Sequence, residues 1–165
     1  MRILRCAIIA APLWAMSIDA GTAAGRDEHD PLRFFEGKTE SVSTVKVLFK
    51  RSYETRAIGT GRIENGRLEL VQRVERKGHP TQIRRWSIRQ VGPGHYAGTM
   101  SDAVGPVDIE QVDGRYRFRF RMDGHLSVEQ WLTPQPGWRA VENNLTIRRL
   151  GIKVGSSDGV IRKLS

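Results

Sequence analysis

With 165 residues, 27 Lys and Arg against 18 Asp and Glu, and a formal charge of +9, the chain has the length of one domain and a strongly basic balance. One cysteine excludes a disulfide scaffold, and 17 glycines fall far short of a collagen-like repeat. A disordered chain is excluded by the recurring alternation of apolar with polar residues, and a spanning helix by the lack of about 20 uninterrupted apolar residues.

In chain order, the first element is a leader. Arg2 and Arg5 give a basic start, residues 6–18 are almost wholly apolar, and Thr22-Ala23-Ala24 supplies small residues at the exit. Those three parts predict a secretory signal peptide over 1–24, cut after Ala24 or Ala23, and hence a periplasmic protein. Pro12 and Asp19 interrupt the apolar run, which favours cleavage over a retained anchor. Cys6 precedes the run instead of following it, so it is not a lipidation site, and cleavage removes it. Taking Arg2, Arg5 and Asp19 away leaves 25 basic and 17 acidic residues, so the mature chain of about 141 residues stays near +8. It has no thiol for disulfides, nucleophilic chemistry or metal binding.

Residues 25–33 read as a short lead-in and 34–165 as a single domain. Between Gly37 and Lys163 the pattern is six to ten residues of period-two alternation followed by a turn signal. The signals are Asn65-Gly66, Lys77-Gly78-His79-Pro80, Gly92-Pro93-Gly94, 102–106, Asp113-Gly114, Asp123-Gly124, 134–137 and 156–159. Such spacing, with no apolar stripe at helical period, predicts an all-β fold. Gly59-Thr60-Gly61-Arg62 lies inside a strand pattern with no helix after it, which predicts a bend or bulge and not a phosphate loop.

Register tests the turns. A two-residue turn at Asn65-Gly66 sets Ile63 opposite Leu68 and Gly61 opposite Leu70; the same turn at Asp113-Gly114 sets Ile109 opposite Phe118. At Asp123-Gly124 apolar residues match only if His125 joins the loop, giving Met122 opposite Leu126 and Phe120 opposite Val128. Around 77–81 the expected loop sets Arg76 against Gln82, pairing Leu70 with Ile88, Gln72 with Trp86, Arg73 with Arg85 and Glu69 with Arg89. Further strands are expected at 82–91, 96–101 and 138–147, with a last pair at 152–154 and 160–162. About nine short strands in sequential order predict an up-and-down antiparallel β-barrel, because closure removes both sheet edges; the alternative is an open sheet or sandwich.

The run Arg115-Tyr116-Arg117-Phe118-Arg119-Phe120-Arg121-Met122 invites a nucleic-acid reading. Register opposes it, because Arg119 faces Asp108 and Glu129 while Arg117 faces Glu110 and Trp131, so two of the four charges are spent within the sheet. No nucleic-acid partner is therefore expected. Arg73, Arg85 and Arg89 share one carboxylate in the expected register, which makes that face the candidate for an acidic envelope surface. His29, His79, His95 and His125 have no metal-ligand spacing, so neither a metal nor a cofactor is expected. Glu129 with Asp108 could be drawn as a glycosidase pair, but Arg119 lies between them in this register, which favours a structural role for both carboxylates over a general-acid one.

Inward alternation gathers Trp86, Ile88, Tyr96, Phe118, Phe120 and Val128, with Trp131 and Trp138 as further lining. The leading expectation is a monomeric, non-enzymatic barrel holding a lipid-like small molecule. Trp86, Tyr96, Phe118, Phe120 and Trp131 would touch its apolar part, and Arg85 or Arg148 an anionic head. The competing expectation is a hydrolase-type site combining Asp102, Glu129 and Asn143, with at least one raised carboxyl pKa.

The order of short motifs resembles one known family. Phe34-Phe35-Glu36-Gly37, Arg85-Trp86-Ser87-Ile88, Tyr96-Ala97-Gly98, Asp102-Ala103-Val104-Gly105, Gln130-Trp131-Leu132, Asn143 or Asn144, and Gly151-Ile152-Lys153-Val154-Gly155 resemble the bacterial domain of unknown function (DUF) 3833 family over about residues 32–163. The resemblance implies a lipocalin-like, calycin-type barrel of the cell envelope and brings no established activity. Three departures stand out. The family's Asp-Asp-Trp segment is Glu129-Gln130-Trp131 here, its Trp-x-Tyr strand is Arg117-Phe118-Arg119, and its lipidation signal is missing.

Overall fold

A computed structural model describes residues 30–165, so the expected leader, Cys6 and His29 lie outside the described residues. Ten antiparallel strands close into one barrel: β1 (Gly37–Val47), β2 (Tyr53–Glu64), β3 (Arg67–Glu75), β4 (Gln82–Gly92), β5 (His95–Met100), β6 (Val107–Val112), β7 (Arg115–Met122), β8 (Leu126–Pro134), β9 (Ala140–Arg149) and β10 (Ile152–Lys163). Each strand pairs with its neighbours in sequence, and β1 pairs with β10 to complete the ring. Among the described residues there is no long apolar helix able to cross a membrane.

The barrel has ten strands where about nine are expected, and the last two expected segments are a single strand, β10. Ser156-Ser157-Asp158-Gly159 reads as a turn but runs in mid-strand, where Gly159 faces Ser43 of β1. A Cβ on Gly159 would lie 2.3 Å from the Val42 carbonyl oxygen, so this glycine serves close backbone approach and not chain reversal. The same correction applies to Gly61. The β1/β2 ladder ends on it and the β2/β3 ladder passes it without a bulge, and its Cβ would lie 2.0 Å from the Phe35 carbonyl oxygen.

The hairpins follow the expected register at three turns. Glu64 faces Arg67, Ile109 faces Phe118, and Met122 faces Leu126. Asn65, Asp113 and His125 take positive φ of 51°, 50° and 60°, which local turn geometry supports. The β3/β4 hairpin departs from expectation: pairing begins at Val74 with Gln82, so Leu70 faces Trp86 and Leu68 faces Ile88. That slip of two residues keeps every side chain on its expected face and changes every partner. On the outer face Arg73 now opposes Ile83, Arg85 opposes Val71, and Arg89 opposes Arg67.

One end of the barrel is plugged. Helix α1 (Pro31–Phe34) is capped by Asp30, whose Oδ1 accepts from the Leu32 N–H at 2.9 Å, and Pro31 occupies the first turn where it costs no hydrogen bond. Leu32 and Phe34 are buried with the barrel core, although they flank the boundary between the expected lead-in and domain. Lys163 at the end of β10 donates from Nζ to the carbonyl oxygens of Arg33, Phe34 and Glu36 at 2.9, 3.2 and 2.7 Å, which ties the plug to the wall. Gly61→Ala drives a methyl into this junction and is expected to lower stability by about 1–3 kcal/mol in denaturant unfolding, whereas Gly66→Ala, in open space, leaves the plug in place.

Candidate functional site

Alternation on β4 turns Arg84, Trp86 and Ile88 inward, and Trp86 divides the interior into two halves. Its indole Nε1–H donates to Gln72 Oε1 at 2.8 Å, and the rings of Phe118 and Phe120 meet it edge-on with centroids at 6.3 and 6.0 Å. On the plug side, Phe34, Ile88, Tyr96, Ile109, Tyr116, Phe118, Leu132 and Trp138 fill the barrel and leave only about 30 Å3, room for a single water. The other half is open. It holds a cavity of about 480 Å3, within the size range of small-molecule sites.

The cavity is amphipathic by construction. Trp86, Met100, Phe120, Val128 and Ile161 give it an apolar floor. Its walls carry polar groups already engaged with one another: Gln130 Nε2 donates to Asn143 Oδ1 at 2.8 Å, and the Ser41 and Ser43 hydroxyls lie 3.4 Å apart. Two cations guard the upper part. Arg84 lines the cavity while its Nε donates to Asp102 Oδ2 at 2.9 Å, and the Arg76 guanidinium stacks 3.5 Å over the Tyr53 ring.

Asp102 ties this rim together. Partial burial pushes its carboxyl pKa up, but hydrogen bonds from Ser101 and Arg84, together with the Arg84 charge, outweigh that and leave it below 3.8. A carboxyl whose folded pKa is depressed contributes stability that is complete above its unfolded value and disappears as pH falls through the folded value. Acid titration is therefore expected to open the Arg84–Asp102 clasp as pH falls through that lowered value, and Asp102→Asn to lower stability across the neutral range while flattening the acid limb of the profile.

The expected site residues divide by face. Trp86 and Phe120 line the open cavity, and Tyr96 and Phe118 belong to the filled half. Trp131 stands outside the barrel, because Gln130 takes the inward position; the Arg115 and Arg117 guanidinium groups lie 4.5 and 5.5 Å from its ring centroid. Arg85 and Arg148 also point outward, away from the cavity, whereas Arg84, one residue from Arg85 and in phase with Trp86, lines it. Of the basic face, Arg73 bonds Glu75 at 3.2 Å, and Arg85 and Arg89 face Val71 and Arg67. The three therefore lack the single shared carboxylate expected of them.

The competing catalytic set does not assemble. Asn143 faces the cavity, Glu129 lies on the outer wall opposite Arg119 and Thr146, and Asp102 has a lowered pKa. Beside Glu129 two of the four ladder arginines are paired as expected: Arg119 reaches Asp108 at 2.6 Å, and Arg117 Nε reaches Glu110 at 2.6 Å. Sequence reasoning missed Arg84, Arg76, Gln72 and Gln130 as cavity residues, although each shares the period-two phase of an inward neighbour: Trp86, Leu70 or Val128.

The S-type phycobiliprotein lyase CPES from Guillardia theta has a similar fold, with a TM-score of 0.64 and 9% identity over 81% of this chain and 91% of that one. No curated protein matches the sequence. The model of a family described as "Protein of unknown function (DUF3833)" matches residues 14–163, which starts upstream of the first motif and takes in every strand. Motif order, closed barrel and family model agree, and the chain belongs to the DUF3833 family.

Proposed function

We propose that this protein is an exported binding barrel that holds one apolar or amphipathic molecule, of lipid-like character, in the open half of its interior. The observation that carries the reading is the unequal filling of one barrel. The plug half is packed to about 30 Å3, while the mouth half keeps about 480 Å3 above a floor of Trp86, Phe120 and Val128. Apolar floor and polar upper wall match a molecule with two ends. Its chain would displace water from Trp86, Phe120 and Val128, and an anionic or polar head would meet Arg84 and Arg76 below the mouth.

The basic, apolar and small-residue segments of positions 1–24 support export to the periplasm, and the thiol-free remainder suits that compartment. The polar groups of the competing set are committed elsewhere: Asn143 is bonded to Gln130, and Asp102, beside the cavity, is paired with Arg84. The test is organic extraction of protein purified from a bacterial periplasm, followed by mass spectrometry. An amphipathic molecule at near one equivalent, absent from a variant with a blocked cavity, is the expected result. Extraction of nothing above trace amounts would remove the main support for the reading.

A further inference from the structure

The mouth of the barrel carries an apolar tip that no core claims. Leu48 and Phe49 follow β1, Leu150 sits at the β9/β10 turn, and Ile152 opens β10; they are 50%, 97%, 83% and 67% exposed. The two loops are neighbours, since Leu48 N–H donates to the Val154 carbonyl at 2.9 Å. Phe49 and Leu150 also hold positive φ, 61° and 49°, a strained choice for large side chains that gain no burial from it.

Directly below the tips runs a belt of like charge. Register places Arg121 opposite Ser127, Ser127 opposite Arg148, and Arg148 opposite Lys153, so three cations and a serine form one row across four strands. Lys50 and Arg51 stand in the β1/β2 loop, and Arg149 ends β9. None of these six cations has a carboxylate within ion-pair distance among the described residues. The nearby acids are Glu129, which shares a surface groove with Arg121 and Arg148 and lies opposite Arg119, Asp158, which Lys46 faces at 4.0 Å, and Asp123 in the β7/β8 turn. Like charges directly opposite are destabilising unless an anionic partner covers them.

We infer that this rim docks on an anionic lipid surface, inserting Phe49, Leu150, Ile152 and Leu48 while Arg121, Arg148 and Lys153 meet the head groups. Exposed apolar tips above an unpaired basic row are the combination that interfacial binding requires. The basic row distinguishes this occupant from a second copy of the chain, whose matching rim would be equally cationic. Docked this way, the cavity opens toward the bilayer. The inference does not depend on what the cavity holds.

The test uses the full chain with Cys6→Ser and one nitroxide label at Leu150→Cys, mixed with phosphatidylcholine vesicles containing roughly a third phosphatidylglycerol. The label reads the rim itself, whatever the N-terminal apolar segment does. Expected is a shift of the label from water-accessible to lipid-shielded, with none for a label at Asn65→Cys on the plugged end. It should vanish with pure phosphatidylcholine and at about 1 M salt, where screening shortens to about 3 Å. Arg148→Gln with Lys153→Gln, both on the outer surface, should weaken it by about tenfold or more. A label at 150 that stays in water with the anionic vesicles overturns the proposal. So does one already shielded before vesicles are added, which would mark self-association, or a shift untouched by the double variant.

Discussion

Replacing Trp86 by alanine is expected to cost about 3–5 kcal/mol and to merge the two halves of the interior. The loss has three sources. The indole is buried, it packs edge-on against both Phe118 and Phe120, and its N–H satisfies the Gln72 side-chain carbonyl. Trp86→Phe retains most of the packing and loses the hydrogen bond, so it should cost about 1–2 kcal/mol, most of it from the unpaired Gln72. Guanidinium unfolding followed by far-ultraviolet circular dichroism measures both. A Trp86→Ala loss no larger than that of Trp86→Phe would show that the indole is not the partition described.

Phe34→Ala is expected to cost a similar amount, about 3–5 kcal/mol, but from the opposite end. Phe34 is buried beneath the barrel wall and meets Phe35 edge-on at 5.0 Å, and its helix is only four residues long. A helix that short holds no structure by itself, so its order derives from Leu32, Phe34 and the three Lys163 bonds. Loss of the ring should therefore loosen all of residues 30–36, detected as faster amide exchange there than in β7. Exchange that stays as slow as in the parent protein would mean that the Lys163 contacts alone secure the plug.

The parts of this fold legible in the sequence were those fixed by two- and three-residue turns. Asn65-Gly66, Asp113-Gly114 and Asp123-Gly124-His125 each permit one register that keeps Leu68, Phe118 or Val128 inside, and the structure has those registers. The β3/β4 loop lacked such a constraint: Gly78 sits at positive φ in a longer connection, and two registers an even number apart bury the same residues. Trp86 could thus be assigned to the interior while the partners of Arg73, Arg85 and Arg89 could not be assigned. Ser156 to Gly159 failed for another reason, since a glycine needed for contact with β1 looks, in sequence, like one needed for a turn.

At the site, aromatic character was the misleading guide and phase the reliable one. Trp131 was gathered with the interior because it is large and apolar, although its place opposite Arg117 already put it on the arginine face. Arg84 was passed over for Arg85, although only Arg84 shares the phase of Trp86. What no pattern could show was the difference in filling between the two halves. On the mouth side the lining contributed by β1 and β2 is short, with Ser41, Ser43, Thr55 and Ala57 around the open volume.

That difference gives the most direct measurement of the central claim. Ala57 lines the open half and not the plug half, so Ala57→Trp fills the cavity while leaving the packed end unchanged. Titration of the parent protein with dodecanoate, followed by indole fluorescence, should show saturable binding of one equivalent. Ala57→Trp, folded to the same extent by circular dichroism, should weaken it by at least about a hundredfold, equivalent to about 3 kcal/mol. Equal binding by both proteins, or none by the parent, would contradict an interior site for an amphipathic molecule.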